Sequence, residues 1–311
     1  MAPLITSIYT ADPSAHVFEG KVYIYPSHDR ETDIQFNDNG DQYDMADYHV
    51  FSTSSLDPTE EPVDHGVVLK MEDVPWVSKQ LWAPDAAFKD GKYFLYFPAR
   101  DKEGIFRIGV AVGDRPEGPF KPDPEPIKGS YSIDPASFVD DDNQGYLYFG
   151  GLWGGQLQCY QKGNDAFDPA WQGPKEPSGD GVVAMGPRVA SPGDPDPRPG
   201  HGQDHDRRFF EAAWVHKRNG TYYFSYSTGD SHYLCYATGD SPLGPFTYGG
   251  RILEPVLGWT THHSIVEFKG QWWLFHHDCE LSKGVDHLRS VKVKEIFYTK
   301  DGKIVTEKPQ E

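Results

Sequence analysis

Cysteine is scarce in this chain. Its three residues, Cys159, Cys235 and Cys279, form no C-x-x-C pair, which argues against a disulfide framework and a cysteine-type zinc centre. A reducing compartment is the simplest setting. Long hydrophobic runs are missing as well: no apolar stretch approaches the roughly 18–20 residues of a membrane helix. The opening MAPLITSIYTADPS has neither the basic region nor the apolar stretch of a secretory signal, so the expected location is the cytoplasm, with no membrane partner. Positive charge is in short supply, with 29 Lys and Arg against 47 Asp and Glu, a net charge of −18. A surface of that sign repels phosphate, so nucleic acid is not an expected partner. Sustained helical periodicity is also lacking.

Aromatic residues make up 14% of the 311 positions, and 32 Gly and 26 Pro supply many turns. Short aromatic and β-branched runs bounded by Gly, Asp, Asn and Pro read as a nearly all-β protein. A unit recurs: FEGKVYIYP at Gly20, KDGKYFLYFPA at Gly91, NQGYLYFGG at Gly145, RNGTYYFSYS at Gly220 and FKGQWWLFHHD at Gly270. Each is a turn glycine followed by an aromatic strand. Upstream of each lies a short apolar strand, SAHVF, DAAFK, ASFVD, EAAWVHK and HSIVEF, so every unit predicts a β-hairpin. GDRPEGPFK (Gly113 to Lys121) and GDSPLGPFT (Gly239 to Thr247) are near copies after the second and fourth hairpins. Radial repetition of small antiparallel sheets accounts for this spacing, and the expected architecture is a five-bladed β-propeller, a single domain over residues 1–311. A β-sandwich with fortuitous Gly-aromatic turns is the competing reading.

A polar residue stands at the head of each hairpin: Asp12, Asp85, Asp134, Glu211 and His263. In a propeller the innermost strands surround one axis, so these positions converge on one mouth of the central channel. Crowded carboxylates raise one another's pKa, and such crowding is more often functional than structural. Each residue also has a plainer role. Asp12 and Asp134 precede proline, and Asp-Pro initiates turns without any chemistry. Asp85 can cap its hairpin, whereas Glu211 opens an otherwise apolar strand, where an acid needs a reason. The pairs His262–His263 and His276–His277 suggest metal, yet strand neighbours face opposite ways, so at most one of each pair reaches a given site. The acidic stretch Asp29 to Asp47 lacks the ligand spacing of an EF-hand and reads as a long loop able to rim a pocket. The Pro- and Gly-rich stretch Ser191 to Arg208 reads as another surface loop.

Taken in order, ADPSAHVFEGKVY (Ala11 to Tyr23), WAPD (Trp82 to Asp85), SIDPASFVDDDNQGYLYFG (Ser132 to Gly150), FFEAAWVHKRNGTYYFSYS (Phe209 to Ser227), HHSIV (His262 to Val266) and HLRSVKV (His287 to Val293) resemble glycoside hydrolase family 43 over essentially the whole chain. The resemblance implies a five-bladed propeller that cleaves xylose- or arabinose-containing glycans with inversion. It implies Asp12 as general base, Glu211 as general acid and Asp134 as the carboxylate that tunes the acid. It also implies a calcium ion near His263, a sugar-hydroxyl contact from Arg289 and an apolar wall at Trp82. His28 falls where some xylosidases carry an aromatic sugar contact, and it departs from that pattern. The expected activity is exo-acting β-D-xylosidase and α-L-arabinofuranosidase on xylo-oligosaccharide or arabinose-substituted substrates. A strict arabinofuranosidase, an arabinan-degrading hydrolase and a non-catalytic sugar-binding propeller are the alternatives.

Overall fold

The structure is a computed structural model that describes residues 2–37, 39–57, 60–151, 189–190, 206–207 and 209–309. Cys159 and most of the 191–208 stretch lie outside that set. The described strands form five sheets. The first runs β1 (Thr10–Phe18), β2 (Lys21–His28), β3 (Asp47–Thr53) and β4 (Val63–Lys70) in order. In the second, β7 (Lys92–Asp101) carries both β5 (Val77–Lys79) and β6 (Asp85–Lys89) on one edge and leads to β8 (Phe106–Gly113) and β9 (Lys121–Pro122). The third is the hairpin of β10 (Ala136–Val139) and β11 (Gly145–Tyr148). The fourth orders β13 (Glu211–Arg218), β14 (Thr221–Ser227), β15 (Leu234–Gly239) and β16 (Phe246–Leu253), with β12 (Val189–Ala190) parallel to β16. The last runs β17 (His263–Phe268), β18 (Gln271–Asp278), β19 (Ser290–Tyr298) and β20 (Ile304–Val305).

This is an all-β propeller. Four sheets have the four or five strands of a full blade, whereas the third has two, so five full blades are not seen among the described residues. The residues that follow β11 in the chain fall largely outside the described set. The inner strands adjoin in a closed cycle: β1 touches β6 and β17, β10 touches β6 and β13, and β13 touches β17. Apolar clusters fill the gaps between sheets. Ile24 and Phe51 of the first pack with Ile265 and Phe275 of the last, Tyr25 and Tyr48 of the first with Leu95 and Phe97 of the second, and Tyr148 of the third with Phe224 and Phe246 of the fourth.

Four of the expected glycine turns share one geometry. Pairing extends to Phe18 and Lys21, leaving Glu19 and Gly20 as the turn, both with positive φ, 52° and 76°. Asp90–Gly91 (51°, 77°), Asn219–Gly220 (50°, 81°) and Lys269–Gly270 (52°, 77°) repeat it. Positive φ at both central residues is the type I′ turn, whose twist matches that of the flanking strands. The third hairpin differs. Val139 pairs with Gly145, a longer loop intervenes, and Asn143 takes the positive φ of 66°, so Gly145 starts a strand and is not the turn residue. The two near-copy segments occupy equivalent places after β8 and β15, each burying its phenylalanine, Phe120 and Phe246.

The N-terminal segment runs beside the last sheet. Leu4 N–H donates to the Val291 carbonyl at 2.7 Å and Thr10 N–H to the Arg289 carbonyl at 3.0 Å. This pairing sets the start of β1 against the start of β19.

Gly270 tests the turn argument, because a Cβ there meets nothing within 4 Å. Only backbone conformation is then at stake. Gly270→Ala should cost roughly 1–2 kcal/mol, and Gly270→Asn less, since Asn tolerates left-handed backbone. Urea titration checks the order: equal midpoints for wild type and Gly270→Ala contradict the turn assignment.

Candidate active site

Three inner-strand starts are kinked, and each kink presents a carboxylate. Asp12 lies at φ 47° inside a bulge of β1, between Ala11 and Ser14. Asp134 precedes β10 at φ 55°. Glu211 opens β13 beside Ala212 at φ 60°, where the register with β14 shifts before Trp214. Left-handed backbone costs an L-residue roughly 1–2 kcal/mol, and such strain clusters at sites where the surroundings hold it for a purpose. The bulges re-aim side chains out of the regular alternation. The three acids line one cavity of about 510 Å3, together with Trp82, Arg289 and His262. That volume is within the roughly 300–1,000 Å3 of small-molecule sites. Phe36, Tyr43, Phe210 and Trp259 add aromatic surface, with Phe36 and Trp259 exposed at the rim. The 29–47 segment therefore rims the cavity as expected, through Phe36, Asn37, Gly40, Gln42, Tyr43 and Met45.

Asp12 is buried and fully engaged. Its Oδ1 accepts from Arg289 Nη1 at 3.0 Å and its Oδ2 from Ser27 Oγ at 2.6 Å. Burial pushes its pKa up, but the charge of Arg289, the nearby His277 and His262, and the Ser27 hydrogen bond outweigh it and lower the carboxyl to about 2. Of these cations Arg289 is the permanent one, because burial holds both histidines below their ordinary pKa, His277 to about 3. His277 Nδ1 accepts the Asp12 N–H at 2.9 Å, which puts its proton on Nε2, 3.0 Å from the Thr260 carbonyl. Arg289 is itself gripped by Asp29, Nε to Oδ2 and Nη2 to Oδ1, each at 2.8 Å.

Glu211 and Asp134 form the opposite environment. Burial, the mutual repulsion of the pair and the Asp12 charge raise Asp134 well above the usual carboxylate range, and burial followed by Asp12 raises Glu211. Asp134 Oδ2 accepts the Ala212 N–H at 2.9 Å, tying it to the peptide after Glu211. The cavity thus holds an ionised carboxylate, Asp12, and a coupled pair, Glu211 and Asp134, that retains a proton.

Trp82 is a cavity wall. Its Nε1 donates to the Tyr43 carbonyl at 2.9 Å and its ring lies 4.5 Å from Phe106. Arg289 borders the cavity, hydrogen-bonded to Asp12 and not to Glu211. Its five N–H hydrogens serve Asp29, Asp12 and Thr260, leaving one on Nη2.

Three expected residues lie elsewhere. Asp85 is buried between strands, its oxygens taking His16 Nε2 at 2.7 Å, Ser137 Oγ at 2.6 Å, Ser14 Oγ and Ser137 N–H. Burial opposes its ionisation, but His16 and Ser137 hold its pKa low, so it is a structural anion. His28 is outside the cavity, 2.6 Å from Asp47 through Nδ1. His263 is also off the wall and bonds Ser225 Oγ at 2.6 Å, while its neighbour His262 faces the acids, 3.6 Å from Asp12 and 4.0 Å from Asp134. As a calcium ligand His263 has one qualification: its buried Nδ1 has no hydrogen-bond partner, and burial keeps the ring neutral. Among the described residues no group of three His, Cys, Asp or Glu gathers around it, so oxygen ligands for calcium would come from water.

Sequence reasoning missed Asp29, Ser27 and Thr260 as site residues and named His277 only as one of a histidine pair. Strand alternation carried the signal for two of them: if His28 faces outward, Ser27 and Asp29 face the site.

The family of Glycosyl hydrolases family 43 matches residues 3–304. A Humicola insolens protein named Xylosidase/arabinosidase 43A is 79% identical over the full length of both chains. A Xylanibacter ruminicola Beta-xylosidase is 53% identical, with 97% of this chain and 98% of the relative covered. A solved structure from a compost microbial metagenome superposes with TM-score 0.87 at 58% identity, covering 99% of this chain and 97% of that one. It is described as a beta-xylosidase/alpha-arabinofuranosidase in complex with xylotriose, in calcium-free form.

A carboxyl whose folded pKa exceeds its unfolded value, about 4.3 for Glu, destabilises the fold as pH rises through that window, and the penalty is complete above the folded pKa. Glu211→Gln removes it. Variant and wild type should melt alike near pH 4, and the variant should melt a few degrees higher near pH 8. A variant less stable than wild type at both pH values contradicts the raised pKa.

Proposed function

The chain belongs to glycosyl hydrolases family 43, and from that membership we propose an inverting, exo-acting glycosidase that removes terminal pentoses as both β-D-xylosidase and α-L-arabinofuranosidase. The observation that carries the chemistry is the opposed titration of the cavity acids, Asp12 held low and Glu211 with Asp134 held high. Pairs of carboxyls driven apart in pKa mark the base and the acid of a glycosidase. Asp12, ionised and fixed by Arg289 and Ser27, accepts a proton from the attacking water. Glu211 gives its proton to the leaving glycosidic oxygen. Asp134 keeps that proton in place by its charge and orients Glu211 through the Ala212 peptide. Water attacks from the face opposite the leaving group, which inverts the anomeric centre and requires carboxyls roughly 6.5–9.5 Å apart.

The remaining Nη2 hydrogen of Arg289 suits a sugar hydroxyl, and Trp82 gives the pentose ring an apolar face. The relatives named as xylosidase/arabinosidase and beta-xylosidase support the substrate class. We read the fold as a single five-bladed propeller, supported by the cycle of five inner strands. A calcium ion belongs to this reading. His263 Nδ1 would hold it with water, and the ion would offset repulsion among the carboxylates.

Asp12→Asn should keep the fold and lower turnover by about 10²–10⁴-fold, the usual worth of a positioned base. Near wild-type hydrolysis of nitrophenyl β-xyloside would sink that assignment. Glu211→Gln should be severe on xylobiose and milder on an activated aryl xyloside, whose leaving group needs less protonation; equal losses on both speak against Glu211 as the acid.

Chelator treatment with calcium add-back tests the ion. Activity should fall and return, and the return should fail in His263→Ala. Full activity in a demonstrably metal-free preparation removes calcium from the reading.

A further inference from the structure

The cavity-rimming loop has its two stems in the first sheet, at His28 where β2 ends and Asp47 where β3 begins. Asp47 and His49 share one face of β3. His28 Nδ1 lies 2.6 Å from Asp47 Oδ1, and His49 Nε2 lies 3.9 Å from the same oxygen. The imidazole rings stand 5.0 Å apart at 69°, and one ligand atom from each of the three residues falls within 4.8 Å of the others. None of these side chains has a part in the chemistry above.

The far side of His49 points to a metal. Its Nδ1 lies 3.0 and 3.1 Å from the two Asp64 oxygens. An ionised carboxylate only accepts, so Nδ1 carries the proton and Nε2 presents its lone pair toward Asp47. A carboxylate behind an imidazole is the arrangement that fixes the tautomer and orientation of a metal-ligating histidine. Two imidazoles with one carboxylate suit a borderline ion such as zinc, whereas calcium and magnesium prefer all-oxygen sets.

We propose that His28, Asp47 and His49 form a zinc-class divalent metal site that staples the two stems of the rim loop, with Asp64 orienting His49. The metal takes the place of the hydrogen between His28 Nδ1 and Asp47 Oδ1, and the His28 proton moves to Nε2. Bonds of about 2.0–2.1 Å in a tetrahedral site set ligand atoms about 3.3 Å apart. The 2.6 Å contact therefore opens and the 3.9 Å contact closes, each by less than an ångström. All three side chains are partly exposed, which leaves a fourth position to water, and His28 also borders a separate cavity of about 490 Å3 that gives access.

The experiment uses the full, untagged chain after chelation. Zinc chloride is titrated by calorimetry, and cobalt chloride is followed by visible absorption, whose intensity reports four-coordinate geometry. Wild type should bind one zinc per chain at this site and melt at a higher temperature with it. His49→Gln and His28→Gln should abolish that binding event and the melting shift. Asp64→Asn should weaken it 10–100-fold, the usual effect of losing an outer carboxylate. His263→Gln should retain it, separating this site from the channel ion. Circular dichroism of each metal-free variant verifies the fold. Absence of zinc binding in wild type overturns the proposal, and so does wild-type affinity in both His49→Gln and His28→Gln.

Discussion

Arg289 is buried between Asp12 and Asp29, donating through Nη1 to one carboxylate and through Nε and Nη2 to the other. Removing a guanidinium from water costs several kcal/mol unless its donors are matched with good geometry, and the two-pronged contact with Asp29 provides that match. Asp29 alone neutralises the cation. The contact with Asp12 is additional, so the charge that keeps Asp12 ionised is anchored by a residue that does not line the cavity. The same Arg289 receives Thr10 N–H at its carbonyl, where the N-terminal segment lies against the last sheet. The docking of the N-terminal segment on the last sheet and the ionised state of Asp12 thus meet at one residue.

Regular and irregular backbone divide between the two ends of the inner strands. Where four inner hairpins turn, away from the cavity, the sequence repeats a two-residue turn with nearly identical angles. At the cavity end three inner strands start irregularly, with bulges at Asp12 of β1 and Glu211 of β13 and a left-handed residue at Asp134 ahead of β10. The uniform turns supply the stability of a repeated architecture. The kinks use some of it to bring three carboxyl groups together, a local conflict that foldable sequences tolerate mainly at functional sites.

The hairpins were legible because a glycine ahead of an aromatic strand is a local signal. Glu19–Gly20 and Asn219–Gly220 need no tertiary information to be read. The acids at the strand heads were legible for the same reason, once the repeat placed them around one axis. Asp29 was not, because its meaning lies in Arg289, 260 positions away. The histidine pairs show the limit more finely. Alternation allows at most one member of His262–His263 to face the cavity without saying which, and it is His262 that lines it. His28 fails for a similar reason: at the end of β2 the site-facing positions are Ser27 and Asp29.

The histidines around the site explain how chemically identical carboxyls keep different protonation states. His262, His263, His276 and His277 are all held below their ordinary pKa by burial. Neutral imidazoles supply donors and acceptors without adding positive charge. A permanent cation in place of His262, 4.0 Å from Asp134, would act on that carboxyl as Arg289 acts on Asp12. The acid pair would then lose the proton it holds. Polarity in the cavity is therefore graded, with a fixed cation beside Asp12 and, among the described residues, neutral donors beside Asp134. The different protonation states of the three acids follow from burial and carboxylate repulsion at Asp134 and Glu211 and from the Arg289 charge at Asp12.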